Sequence, residues 1–460
     1  MRNERILLHN LIVSGGTVIA GVLGVAFQAI VSHQLRPGDY GSVFAVVTVI
    51  TFVGLPASAF TLLMAREASR DSAQGHQAAS AALLRRGNRA LMFSGLALAS
   101  GVAVGSPLLA RFLNVPIELL LAAAIGIPFT LAFPLLMGEF QGEQQFFTLS
   151  LLSISQAGLK LLAAIVLGAV FGPVGIIAGI SIASAAVYGV AHRLLRRKLS
   201  IKPRLEWWRP ALAYLAIVAP STLSLAVLLS ADVILVKHFF SSQLAGEYAA
   251  VAALGRAIFW GASGVAIVLF PKMTFRGTRG QSTLLLVGAS MALVAFGGLL
   301  GMVLLSVASK WLLTAFAGAA YSSASGLLPW YALGMILLGA VAVFIATHQS
   351  RGRPAFLAIL LPLTALEPLL IVIAHASLTQ VVQVVDVSMA LVLAGLAALY
   401  VIQDRAERAS GALTAANATD VGTGPRDRTA HIATNPTDLG ATNYSQAGAI
   451  LAMETISDER

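Results

Sequence analysis

Apolar runs separated by short polar breaks recur from Leu11 to Ile402. A helix needs about 20 such residues to cross a hydrocarbon core, and strands of a closed barrel would instead show alternating segments of about ten. The runs predict twelve transmembrane helices, over 11–32, 42–64, 90–112, 116–138, 146–170, 172–192, 211–237, 246–270, 283–308, 325–347, 355–375 and 380–402. The first follows Arg2 and Arg5 as a signal peptide would, but it runs too long and has no small-residue cleavage site, so it is read as helix 1.

The polar breaks carry an orientation. With the N-terminus inside, inner loops hold Arg66, Arg70, Arg85, Arg86, Arg89, Arg193, Arg196, Arg197, Lys198, Lys202, Arg204, Arg209, Lys272, Arg276, Arg279, Arg351 and Arg353. The outer side keeps only Arg36, Arg111, Lys237 and Lys310. This asymmetry predicts an even number of spans in a cytoplasmic (inner) membrane with both termini cytoplasmic. The longest basic connection, "RLLRRKLSIKPRLEWWR" from Arg193 to Arg209, falls between helices 6 and 7. Around it the chain repeats. "GDYGSVFAV" from Gly38 resembles "GEYAAVAAL" from Gly246, His33 and His238 precede the two, and "GEQQF" from Gly142 aligns with "GRPAF" from Gly352. Matches at nearly one offset predict two six-helix lobes, 1–192 and 211–403, related by a pseudo-two-fold axis and joined by a basic cytoplasmic linker, 193–210. Beyond Asp404 the composition turns to Thr, Ala, Asn, Gly and Asp, which predicts a disordered cytoplasmic tail over 404–460.

Composition agrees with membrane burial. Hydrophobic residues make up 57% of the 460 and charged residues 11%, against roughly 25% charged in a soluble domain. The net charge of +10 sits in loops between spans, so nucleic acid is not the expected partner. Cysteine is absent, which excludes disulfides, thiolate metal sites and a cysteine nucleophile. No phosphate-cradling Walker sequence and no loop long enough for a catalytic domain is present, so neither an enzyme nor a cofactor is expected.

Candidate chemistry therefore lies in polar groups within the spans, where a charge costs roughly 2.5 to 3.5 kcal/mol on insertion scales and faces a cavity or a partner. Helix 1 places Asn10, Ser14, Thr17, Gly21, Gly24 and Gln28 on one face, either a seam of small residues or a ligand path. Helix 5 places Ser153, Gln156 and Lys160 together, with Lys160 near mid-span. Such an ammonium either holds an anionic headgroup or neutralises an internal carboxylate. Arg256 in helix 8 has the same two readings, and Trp260, one turn on, offers it a cation–π contact. Asp232, Glu367 and Asp386 are the carboxylates well inside the spans, suited either to a coupling ion or to pairing with those cations. His33, His238, His348 and His375 sit at helix ends without metal-ligand spacing, so no metal site is expected.

Several short runs resemble one family. "LRPGDYGSVFAV", "MAREASR", "FQGEQQFF", "SADVILVKHF", "AGEYAAVAALGR" and "LLPWYALGMILLG" look like the bacterial polysaccharide biosynthesis transporters, the O-antigen and exopolysaccharide flippases. These belong with the multidrug and toxin extruders and the lipid II flippase in the multidrug/oligosaccharidyl-lipid/polysaccharide exporter superfamily. The resemblance covers residues 1 to about 403. It implies a V-shaped, two-lobed helical bundle with a central cavity, which flips an isoprenoid diphosphate-linked oligosaccharide from the inner to the outer leaflet by alternating access. The product would feed lipopolysaccharide or exopolysaccharide assembly, with membrane lipids, a polysaccharide polymerase and glycosyltransferases as candidate partners. By match to the family pattern Arg66, Asp232 and Arg256 are site residues, while Lys160, Gln28 and Gln156 come from the stripes above. A drug or metabolite antiporter is the competing transporter, although organic cations call for acidic cavities. A membrane glycosyltransferase or polymer ligase would need catalytic groups on a substantial outer loop, and the outer loops here are short.

Overall fold

The computed structural model describes residues 2–74, 78–200, 208–278, 284–351 and 354–420, with side chains described over 15–72, 80–200, 213–262, 284–351 and 354–406. Among these residues the chain is helical throughout. The helices are α1 (Arg2–Gln34), α2 (Pro37–Gln74), α3 (Ala78–Leu113), α4 (Ile117–Gly142), α5 (Phe146–Leu194), α6 (Arg196–Leu199) and α7 (Trp208–Phe239). They continue with α8 (Ser242–Thr278), α9 (Leu284–Val307), α10 (Ser309–Ala317), α11 (Leu328–Ser350), α12 (Leu357–Ile373) and α13 (Leu378–Asp420).

Helix α5 accounts for two of the expected spans. Its 49 residues would make a rod of about 74 Å, more than twice a hydrocarbon core of about 30 Å. At Gly172 the backbone turns to φ 58°, ψ −139°, a conformation closed to side chains with a Cβ, and Pro173 follows. The chain then folds back on itself. A Cβ on Gly175 would stand 2.0 Å from the Leu167 carbonyl oxygen, one on Gly168 2.8 Å from Ile176, and one on Gly179 2.8 Å from Ala163. Three glycines thus let two antiparallel helices approach backbone to backbone, and the break falls where the sequence separates 146–170 from 172–192.

Ten helical segments of the described residues are long and apolar enough to cross a membrane. Counting both limbs of α5 and the 37-residue α8 gives the twelve crossings that the hydrophobic pattern predicts. Their outer surfaces are apolar where a water-soluble protein would be polar. On α9, Leu285, Leu293, Phe296, Leu300, Val303 and Val307 are exposed at spacings of three and four residues, or multiples of them, as a lipid-facing stripe requires.

Within the first half α4 packs against α2, α3 and α5, and α1 lies along α5. Within the second, α11 packs against α8 and α9, and α12 against α7. The halves meet where α2 lies against α7 and α8. They approach most closely at the end carrying the α1–α2 and α7–α8 turns. A Cβ on Gly246 would stand 1.8 Å from the Pro37 carbonyl oxygen, and one on Gly41 2.8 Å from the Gly246 nitrogen. Hydrogen bonds finish this seam. His238 Nδ1 donates to the Phe112 carbonyl (2.7 Å), Asn114 to the His238 carbonyl (3.2 Å), and the Tyr321 hydroxyl to the Leu35 carbonyl (3.2 Å). Lys237, expected in an outer loop, is instead 1% exposed here, its ammonium 3.4 Å from the Ser242 hydroxyl and in the field of Asp39.

Helix α13 runs past the expected start of the tail to Asp420, and 421–460 lie outside the described residues. So does the central part of the linker, 201–207.

Candidate functional site

Among the described residues a polar cluster inside the spans joins three helices of the second half. Asp232 comes from α7, Tyr248 and Arg256 from α8, and Tyr331 from the first turn of α11, which opens with Pro329 where a missing N–H costs no helical bond. Arg256 Nη2 donates to Asp232 Oδ1 at 3.1 Å and Arg256 Nε to the Tyr331 hydroxyl at 3.2 Å. Tyr248 and Tyr331 both donate their hydroxyls to Asp232 Oδ2 at 2.9 Å. Asp232 is 1% exposed and Arg256 8%, so the pair is closed off and each charge is met by its opposite.

The guanidinium also faces the first half, lying 5.4 Å from the ring centroid of Phe44 on α2. Phe44 is therefore an aromatic partner that sequence spacing within α8 cannot reveal. Trp260, expected to provide that contact from one turn away, is half exposed. From Phe44 an aromatic path leads back into the first half. Tyr40 stands 5.8 Å from Phe44, and its hydroxyl donates to Gln28 on α1 at 3.4 Å. The residue before Gln28, Phe27, carries the Lys160 ammonium 4.1 Å above its ring. Lys160 and Arg256, one from each half, thus rest against aromatic faces of α1 and α2.

Their electrostatic positions differ. Arg256 is neutralised by Asp232. Among the described residues no carboxylate lies within ion-pair distance of Lys160, which is partly buried and in contact with Phe27. Gln156, one turn before it, is partly buried as well, and the Ser153 hydroxyl bonds to the Leu149 carbonyl of its own helix at 3.0 Å. Along α1 nothing stands within 4 Å of the place a Cβ would take on Gly21 or Gly24, so the stripe is open at these two positions, and the tight contact is Gly16 against Ser150 of α5. The side chains of Asn10 and Ser14 lie outside the described residues.

Glu367 of α12 is fully buried and among the described residues neither of its carboxylate oxygens has a hydrogen-bond partner, although it feels the charges of Asp232 and Arg256. Pro368 follows it and has no N–H, which leaves the Thr364 carbonyl without its helical donor. Among the described residues the Thr364 hydroxyl, one turn below, also has no hydrogen-bond partner, nor do the Ser388 hydroxyl and one Asp386 oxygen on α13. Arg66 sits elsewhere. It is exposed at the far end of α2, 5.1 Å from the Tyr214 ring of α7, a contact between the halves remote from Arg256.

Sequence reasoning passed over Tyr248 and Tyr331. The signal was available, since Tyr248 is the repeat equivalent of Tyr40. Each tyrosine is fully buried and bonds back to a polar residue on the first helix of its own half, Tyr40 to Gln28 and Tyr248 to Asp232. Of the histidines, His348 is buried rather than interfacial, with Nε2 3.2 Å from the Leu396 carbonyl oxygen and the ring stacked on Phe356.

No family model and no curated protein matches the chain. Solved structures do. The chain is similar to the lipid II flippase MurJ in an inward closed conformation, at 14% identity and a TM-score of 0.66, covering 91% of this chain and 94% of that one. It is similar to an inward-facing multidrug resistance MATE family transporter of the MOP superfamily, at 12% identity and a TM-score of 0.65, covering 84% and 95%. A eukaryotic MATE transporter, AtDTX14, aligns at 12% identity and a TM-score of 0.64, covering 88% and 99%. At these identities the likeness establishes the fold, which is the two-lobe, twelve-helix membrane fold of MATE transporters and MurJ.

Proposed function

We propose that this protein is a flippase for a lipid-linked saccharide, carrying an isoprenoid diphosphate-linked oligosaccharide across the cytoplasmic membrane by alternating access, with no catalytic step of its own. The observation that carries the reading is Lys160, an ammonium deep in a span that meets an aromatic ring and, among the described residues, no carboxylate. A cation left uncompensated in a low-dielectric setting attracts an anion far more strongly than at a surface, and a lipid diphosphate offers such a charge. Gln28 and Gln156 supply neutral hydrogen-bonding groups beside it. Arg256 joins the substrate only by giving up Asp232, so it suits a later stage of the cycle, whereas Arg66 suits first capture at the end of α2. Glu367 is read as the coupling site together with Asp232, because binding a proton or a monovalent cation there would relieve two buried unpartnered oxygens. With loop charges putting the α1–α2 turn outside, the described conformation is closed to the outside.

Lys160→Gln should insert and fold normally yet reduce translocation of a lipid-linked saccharide by tenfold or more, on the order of one lost charge contact in a shielded site. Lys160→Arg should keep part of the activity. Full transport by the Gln variant in reconstituted vesicles would remove the diphosphate site. Orientation is checked separately, and the absence of cysteine makes this direct. A cysteine at Ser200 should resist an impermeant thiol reagent added to intact cells, and labelling there would reverse the proposed topology.

A second reading, a drug or metabolite antiporter of the same fold, is favoured by Glu367, since a buried acid with free oxygens also suits an organic cation. Under that reading Glu367→Gln abolishes transport of a cationic dye and Lys160→Gln leaves it intact.

A further inference from the structure

Three arginines at the corner between α5 and α6 are left over from everything above. Arg193, Arg196 and Arg197 line a cavity of about 500 Å³ together with Leu194. A second cavity of about 350 Å³ shares Leu194 and Arg197 and extends to Gln145 and Thr148 at the α4–α5 turn, with Glu143 and Lys198, which pair with each other, also in its lining. The next basic residue shows what a spent cation looks like in this region. Lys198 bonds to Glu139 and, at 2.6 Å, to Glu143, and although burial disfavours its charge these bonds hold its pKa above the ordinary lysine value. No such carboxylate reaches Arg193, Arg196 or Arg197 among the described residues, and all three are exposed.

The surroundings of these guanidiniums are half water and half hydrocarbon. Leu194, between them in the chain, is 58% exposed, and Phe147, next to Thr148 at the start of α5, is 69% exposed. Exposed apolar side chains at the end of a lipid-facing span face the hydrocarbon, and basic residues immediately beyond them lie at the level of the headgroups. A planar guanidinium binds phosphate oxygens two at a time, and a basic pocket at a helix end beside bare apolar side chains fits a phosphodiester above and an acyl chain below.

We propose that the α5–α6 corner is a binding site for an anionic phospholipid, with the headgroup phosphate held by Arg193, Arg196 and Arg197 and an acyl chain lying against Leu194 and Phe147. The site is separate from the Lys160 and Arg256 region and does not depend on which molecule the protein transports. It involves the segment that leads into the connection between the two halves, so an occupied site would pin the start of that connection to the membrane surface.

The test is native mass spectrometry of the full chain released from micelles, titrated with phosphatidylglycerol or with phosphatidylcholine of the same acyl chains. The wild type should bind phosphatidylglycerol tighter by tenfold or more, a size on the order expected for a few basic residues at a membrane surface. Arg193→Gln/Arg196→Gln/Arg197→Gln should lose that preference, and the same three positions changed to Lys should keep part of it. Removing three charges elsewhere, as Arg85→Gln/Arg86→Gln/Arg89→Gln on α3, should leave it in place. Equal loss from both triple variants would mean diffuse attraction and would overturn the site. So would tight binding of soluble glycerophosphate, which would assign the pocket to a free anion. Should the Gln variant fail to fold, Leu194→Glu puts a negative charge among the arginines that neutralises them and repels a phosphate, and an unchanged preference in that variant would also overturn the proposal.

Discussion

Arg256→Gln is expected to lower stability by about 3–5 kcal/mol, the cost of leaving a buried charge without its counterion. The variant keeps bulk and hydrogen-bonding capacity but deprives Asp232, 1% exposed, of the only cation within ion-pair distance among the described residues. Tyr248 and Tyr331 would still donate to the carboxylate, yet neutral donors do not cancel a charge. Because the four side chains join α7, α8 and α11, the loss should appear as a lower unfolding temperature of the detergent-solubilised protein. Asp232→Asn should be similarly harmful, since it strands the guanidinium. The double variant Asp232→Asn/Arg256→Gln should recover most of the stability, so that the coupling energy in a double-mutant cycle approaches the sum of the two single losses. If Arg256→Gln unfolds at the wild-type temperature, the cluster does not hold these helices together. Stability restored without transport in the double variant would give Arg256 or Asp232 a part in the transport cycle beyond packing.

Gly246→Ala should shift the two halves apart at the α1–α2 end. Its Cβ would fall 1.8 Å from the Pro37 carbonyl oxygen and 2.3 Å from the carbonyl carbon, both backbone atoms that no rotamer change can move. Helix α8 must therefore withdraw from the turn, and overpacking of this kind costs about 1–3 kcal/mol. Applied to the closed arrangement alone, that cost changes the balance of closed and open forms by about 5- to 150-fold. A cysteine introduced at Ser42, 7% exposed behind the seam, reports it as a labelling rate that rises by a comparable factor. Gly261→Ala serves as the control, because nothing lies within 4 Å of its added methyl group. Unchanged labelling of Ser42→Cys in the Gly246→Ala background would mean that the seam opens by some other route.

The crossings were legible because a bilayer imposes one rule on every span, length plus apolarity, and even the split inside α5 showed because its apolar run is too long for one crossing. The repeat was legible through Tyr40 and Tyr248, identical residues at equivalent turns. What the pattern did not carry was pairing. Asp232 and Tyr331 lie 24 and 75 residues from Arg256 in sequence, and which of them meet depends on the rotation of α7, α8 and α11 about their own axes. Hydrophobic periodicity fixes that rotation poorly when helices are apolar all round. The burial of Lys237 escaped for a related reason. Its charge fits a loop, and only contact between the halves encloses it.

The hairpin at Gly172 bears on how the chain is made. Its limbs are joined without a loop, and their contacts pair residues about 8 to 16 positions apart, so they can assemble as soon as both have been synthesised. No polar segment has to be passed through the bilayer between them. The pair can therefore partition from the translocon as one wedge, and the apolar character of each limb counts towards the insertion of both.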